Sequence, residues 1–195
     1  MYLKTADMTV VVTPTMRDEF LAAHPEVPPE RIRVIYNGFD EPDFAAAPSE
    51  EDGKFTIVFT GRFQHDHGGG RGALRSRLRD FLTFKPRPVI LETHSPVFFL
   101  KGLAAFLEKH PEHRPKVRVV FAGTVGAGNM ALARDCGLAD VVENPGYLPH
   151  AEAVALVKSA DALLLPMFST PDPAERIAYA SGKIFEYLAA GKPIL

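Results

Sequence analysis

The residues with the plainest capacity for chemistry lie near the end of the chain, in Ser181-Gly182-Lys183-Ile184-Phe185-Glu186. Ser181 is a good helix N-cap residue, because its hydroxyl can accept from backbone amides one turn on. The first turn then offers unpaired N–H groups and the positive end of the helix dipole, which suits a phosphate. Gly182 allows close approach to the backbone, and Lys183 adds a mobile positive charge at the same place. Glu186 follows three residues later, so both side chains can share one side of the helix. A carboxylate there can accept hydrogen bonds from ribose hydroxyls. Gly191 can close the helix in a left-handed conformation, and Pro193 cannot continue it. The same residues also suit a plain capped helix with an i, i+3 ion pair, and local pattern leaves both readings open.

Other clusters point elsewhere. His65-Asp66-His67 has metal-ligand residue types, but a glycine-rich setting gives them no rigid support, so a mobile solvated loop is expected over 64–72. Gly68-Gly69-Gly70 is not a phosphate-binding Walker loop, because no Gly-Lys-Ser/Thr follows. His94 reads as a surface or turn histidine, and Cys136 as a small buried helix residue. The arginine-rich stretch Arg71 to Arg87 reads as an exposed insertion; its apolar stripe is short and interrupted by Asp80, which weighs against a membrane-facing helix.

The elements that must position these residues alternate along the chain. Met8 to Thr13 is a β-branched run and reads as a strand. Thr13-Pro14 starts a helix to about Ala23, with Thr13 as cap and Pro14 at the first helical position. Arg31 to Tyr36 reads as a second strand, Asn37-Gly38 as a turn and 41–53 as an acidic linker. Phe55 to Thr60 is a continuous apolar strand ending at Gly61-Arg62, and such an unalternated run suits a parallel sheet covered on both faces. Helices are expected over 73–84 and 96–110. Val117 to Phe121 is the next strand, ended by Ala122-Gly123-Thr124. A helix over 129–136, a short strand at Val141-Val142, the turn Gly146-Tyr147-Leu148-Pro149, a helix over 151–159 and the strand Ala162 to Pro166 follow. This alternation predicts an α/β fold: a Rossmann-like open parallel sheet with helices on both faces. Ligands in such sheets sit beyond the carboxyl ends of the strands. The loops at Gly61-Arg62, Gly123-Thr124, Tyr147-Leu148, after Pro166 and at Ser181-Gly182-Lys183 would all lie on that one edge.

With 195 residues, 46% of them hydrophobic, the chain can bury a sizeable core. A net charge of -2 gives no general attraction to nucleic acid. The single cysteine excludes an internal disulfide and fits a reducing compartment. No apolar run is long enough to span a bilayer.

Taken in order, several motifs resemble those of retaining glycosyltransferases with the GT-B fold, the family often called GT4. They are Ile35-Tyr36-Asn37-Gly38-Phe39-Asp40 with Phe44, Thr60-Gly61-Arg62, Phe121-Ala122-Gly123, Gly146-Tyr147-Leu148-Pro149, Ala160 to Pro166, and Lys183 to Pro193. No one of these is specific; their ordered set is, and it spans nearly the whole chain. The resemblance implies a division into residues 1–45, a remnant of an N-terminal acceptor domain with its hinge, and 46–195, a truncated C-terminal nucleotide-sugar-binding domain. It implies a parent enzyme that moves a sugar from a nucleotide-sugar donor (UDP-, GDP-, ADP- or TDP-linked) to a sugar, lipid-linked or other acceptor, without cofactor or metal. A cytoplasmic location, with peripheral association at the inner face of the membrane, goes with it. Carried over by position, Arg62 and Lys183 are catalytic, stabilising the departing diphosphate. Gly61, Gly123 and Thr124 line the donor site, Tyr147 and Leu148 lie by the base, Ser181 to Lys183 cradle the phosphates and Glu186 bonds the ribose. Two places depart from the family pattern. The first glutamate of its E-x7-E pair falls on Ala178, with Glu175 the nearest substitute, and its phosphate lysine falls in the His65-Asp66-His67 region. A fragment so placed is expected to be inactive alone. An epimerase or phosphorylase on the same plan, a non-catalytic nucleotide-sugar-binding protein and a non-functional truncated product are the alternative readings.

Overall fold

The computed structural model describes residues 5–45, 53–63, 65–67, 89–172 and 181–195. The helix expected over 73–84, the glycine run 68–70, Glu175 and Ala178 lie outside these residues.

The N-terminal elements form a small unit. Strand β1 (Thr9–Val11) pairs in parallel with β2 (Ile32–Val34), and helix α1 (Pro14–Ala23) connects them. The helix starts where its residues dictate: Thr13 is extended, its Oγ1 accepts from the Met16 N–H at 3.1 Å, and Pro14 fills the first position, where no donor is needed. Val11, Val27 and Ile32 are buried against Met16, Phe20 and Leu21. The turn expected at Asn37-Gly38 is absent: residues 35–40 run on without one, and Gly38 is not in a left-handed conformation. A tight Asn-Gly turn serves a chain that folds straight back on itself, whereas here the next strand belongs to a different sheet. The segment ends in a 3-10 turn, Glu41–Phe44, where Phe44 packs edge-on against Phe39.

The main sheet contains β3 (Phe55–Arg62), β4 (Val117–Thr124), β5 (Val142–Gly146) and β6 (Ala162–Leu163), all parallel, in the order β5-β4-β3-β6. Leu163 also bridges Ile194 in parallel, so the chain's last residues extend the sheet beyond β6. Helices α2 (Val97–Lys109) and α3 (Ala127–Asp135) cover one face; α4 (His150–Ser159) and α5 (Lys183–Ala190) cover the other. Period-two alternation along β3 and β4 sorts the core between them. Ile57, Phe59, Val119 and Phe121 pack with Leu100, Leu107 and Ala133, whereas Val58 and Val120 pack with Val157 and Tyr187. The Rossmann-like arrangement expected from the alternating pattern is therefore the one observed.

From β3 the chain steps outward to β4 and β5, then returns to lay β6 on the other side of β3. Such a reversal of strand order opens a crevice at the carboxyl ends. Asp161 fixes where the return begins. Its Oδ2 accepts from the Thr56 N–H at 2.7 Å, and its own N–H donates to the Thr56 carbonyl at 2.9 Å. Pro166, which has no N–H to give, ends the strand run soon after.

A pocket at the strand tips

Six of the residues singled out from the sequence line one pocket at the carboxyl edge of the sheet: Gly61, Gly123, Tyr147, Leu148, Lys183 and Glu186. Thr60, Ala122, His150 and Ala153 complete it. Arg62, Thr124, Ser181 and Gly182 are chain neighbours of lining residues but do not line it themselves; the Arg62 side chain ends β3 in solvent. The pocket floor is the backbone of β3 and β4, and its wall is the first turns of α4 and α5. Both helices aim their amino ends, and hence the positive ends of their dipoles, at the same space.

The floor is glycine for a stated reason. Gly61 and Gly123 sit opposite each other in the β3–β4 register, with φ of 115° and 116°. A Cβ on Gly123 would come within 2.2 Å of the Gly61 carbonyl oxygen. A Cβ on Gly61 would meet Lys183 Cε at 2.5 Å. The space left by the missing side chain on Gly61 is therefore where the lysine stem lies. The strand tip of β3 and the start of α5 meet here, as the convergence of loops required.

Helix α5 begins one residue later than its sequence suggests. Gly182 takes the N-cap place in a helical conformation, φ -56° and ψ -29°, and no side-chain capping bond is made. Gly182 has no side chain to cap with, and Ser181, one place too early, is buried at 4% exposure with its carbonyl, not its hydroxyl, accepting from the Ile184 N–H. The capping role expected of the Ser181 hydroxyl is thus corrected. Gly191 ends the helix in the left-handed conformation, φ 65°, as expected.

Lys183, Glu186 and Tyr187 fall at i, i+3 and i+4, on one side of α5. Burial holds the Lys183 ammonium below the ordinary lysine range, and nearby Glu186 opposes that effect. Its Nζ lies 5.6 Å from the centre of the Phe59 ring. Tyr187 is fully buried and bolts the helix to β3: its hydroxyl accepts the Thr60 N–H at 3.1 Å. Thr56, Val58 and Thr60 face β6, and β6 has ended by that level, so the tyrosine stands in for a missing strand partner. Burial raises the Tyr187 phenol above its usual range. Sequence reading gave this residue no role, although its spacing from Lys183 carried the signal.

His150 was also missed. It opens α4, and its Nε2 lies 2.7 Å from Asp43 Oδ2 in the 3-10 turn. That hydrogen bond raises its pKa above the ordinary histidine value, and the charges of Asp43, Glu186 and Asp40 add to the effect. The sequence signal was a titratable residue directly after the Gly146-Tyr147-Leu148-Pro149 turn.

His94 lies in a turn, one of its two expected settings, but not at the surface, and the solvated-loop expectation changes. His94 is buried at 4% exposure in the 3-10 turn Leu91–His94, stacked on Phe168. Burial lowers its pKa, and the Lys183 charge lowers it further. The described part of the loop expected to be solvated, residues 65–67, is anchored instead. Asp66 Oδ1 accepts the Asn129 N–H at 2.9 Å at the start of α3, and the Asn129 side-chain amide donates to the His65 and Val125 carbonyls at 2.8 Å. Asp66 is a helix cap supplied from more than sixty residues away. His67 Nε2 lies 3.1 Å from Ser95 Oγ. Among the described residues there is no cluster able to hold a metal ion, and no helix is long and apolar enough to cross a membrane.

No protein-family model matches the chain, and no curated protein matches it. Solved structures do. A glycosyltransferase from Rickettsia africae superposes with a TM-score of 0.60 at 14% identity, covering 100% of this chain and 45% of that one. A variant of S. aureus TarM, in complex with fondaparinux, alpha-GlcNAc-glycerol and UDP, gives 0.59 at 13% identity, covering 98% and 30%. WaaG, a glycosyltransferase involved in lipopolysaccharide biosynthesis, gives 0.56 at 18% identity, covering 95% and 42%. The chain spans less than half the length of each of these proteins. The likeness is one of architecture: the chain has the Rossmann-like α/β arrangement of GT-B glycosyltransferases over that part of their length.

Proposed function

We propose that this chain is the donor-binding portion of a retaining GT4-type glycosyltransferase and that the strand-tip pocket takes a nucleotide sugar. The observation that carries this reading is the pairing of Lys183 and Glu186 on the first turn of α5, facing glycine backbone at the tips of β3 and β4. A diphosphate placed on the amino end of α5 would find a positive dipole end and a desolvated ammonium. The ribose would lie one turn along, within reach of the Glu186 carboxylate, with the base beside Tyr147 and Leu148. Donors fixed in advance around a departing diphosphate lower the barrier to its release. Lys183 has that role from within the pocket; Arg62, exposed at the end of β3, would have to turn inward to share it. Residues 1–45 then correspond to the end of the acceptor domain and the hinge, and 46–195 to the donor domain.

Calorimetric titration with UDP, GDP, ADP and TDP tests the reading. One of them binds the wild-type chain, Lys183→Met weakens it at least about tenfold, the loss expected for a hydrogen bond to a charged group, and Glu186→Ala weakens it severalfold. Unchanged affinity in both variants, or no binding by any of the four, would overturn it.

A further inference from the structure

The 3-10 turn at the end of the hinge segment is fastened to the pocket wall through one helix. His150, at the start of α4, meets Asp43 at 2.7 Å. Lys158, two turns further along the same helix, donates to the Phe44 carbonyl at 2.6 Å. Phe44 packs on Phe39, which leads back to β2. These partners lie 107 and 114 residues apart in the chain. The His150 and Asp43 side chains are 61% and 39% exposed, and ion pairs so exposed add little to stability. The pairing is better understood by where it puts the imidazole: in the pocket, on the wall shared with Glu186.

We infer that His150 is a positioning residue of the nucleotide pocket: protonated and held by Asp43, it presents its charge to the Glu186 carboxylate and fixes that carboxylate for the ribose. This rests on the reading of the pocket given above and adds a residue to its nucleoside end. Lys183, one turn before Glu186 toward the amino end of α5, serves the phosphates. The charges that act on His150 are acidic, Asp43 and Asp40 from the hinge segment and Glu186 from α5, and each favours the imidazolium; Lys183 is the cation lining the same pocket. The sign of the pH dependence follows. The histidine's folded-state pKa is raised, so its contribution is complete below the ordinary value of 6.5 and is lost as pH rises through the raised value. Seating of the 41–44 turn and capture of the nucleoside are thereby coupled.

The test measures affinity for the nucleoside diphosphate that the wild-type chain binds and, separately, for pyrophosphate, which has no ribose. Both are measured across neutral pH in the wild type, His150→Gln, Asp43→Asn and Lys183→Met. Comparing each variant with the wild type at the same pH cancels titration of the phosphates themselves. Below the raised pKa, His150→Gln is expected to bind the nucleoside diphosphate about fivefold more weakly, the worth of one modest hydrogen bond. That ratio should fall toward one at higher pH. Asp43→Asn should move the fall to lower pH, and pyrophosphate affinity should be unchanged in both variants. A His150→Gln variant that matches the wild type at every pH, or that loses pyrophosphate and nucleotide equally, overturns the inference, provided Lys183→Met still weakens both ligands. If Lys183→Met leaves both unchanged, the pocket assignment itself fails, and this inference with it.

Discussion

At Tyr187 a single hydroxyl does the structural work of a strand. The Thr60 N–H it accepts has no ladder partner among the described residues at that level of the sheet, and Thr60 is buried. Tyr187→Phe keeps the ring and leaves that buried donor unpaired, so a loss of about 1–3 kcal/mol in urea unfolding is expected; an unchanged midpoint would refute the account. The residue scale is also where the sequence was most and least legible. Lys183 and Glu186 announced themselves by charge and spacing. Tyr187, His94 and His150 did not, because their importance depends on partners far away in sequence: Thr60, Phe168 and Asp43. Asp66 shows the same limit. Its carboxylate looked like part of a loose histidine loop, and only the fold reveals that it caps α3.

At the level of elements, regular patterns read well and chain reversals read poorly. The apolar runs at 55–60 and 117–121, and Thr13 before Pro14, specify their elements by local physics alone. Boundaries moved by a residue or two at α4 and α5, where the tertiary environment chooses the first helical residue. Asn37-Gly38 misled because turn chemistry permits a reversal without requiring one. The glycines at the strand tips separate two uses of the same residue. Gly123→Ala would drive a Cβ to 2.2 Å from backbone at a left-handed φ and should cost at least about 2 kcal/mol in thermal or urea unfolding. A Cβ on Gly182 meets nothing within 4 Å. Gly182→Ala should therefore leave stability within about 0.5 kcal/mol, and any accompanying drop in nucleotide affinity would report a ligand against that backbone. Wild-type stability in Gly123→Ala would contradict the packing described here.

At the scale of the whole molecule, the parallel sheet and the two helix layers were legible because an alternating strand–helix pattern admits few arrangements; the strand order came only from the structure. The association of residues 41–44 with α4 was not, since it runs through polar bonds from a short irregular turn. With the chain spanning under half the length of the proteins it resembles in fold, donor capture and sugar transfer should separate. The chain is expected to bind a nucleoside diphosphate yet release no free sugar or transferred product from the matching nucleotide sugar. Mass spectrometry of the incubation mixture checks this, and a glycosylated product would show that these residues suffice for transfer.

The bolt between α5 and β3 also makes the protein its own indicator. Because the Tyr187 hydroxyl secures the Thr60 amide proton, its deuterium uptake tracks how firmly the helix is seated. A molecule engaging Lys183 and Glu186 would slow that exchange by holding the helix against the strand, so one backbone resonance can read occupancy of the cleft.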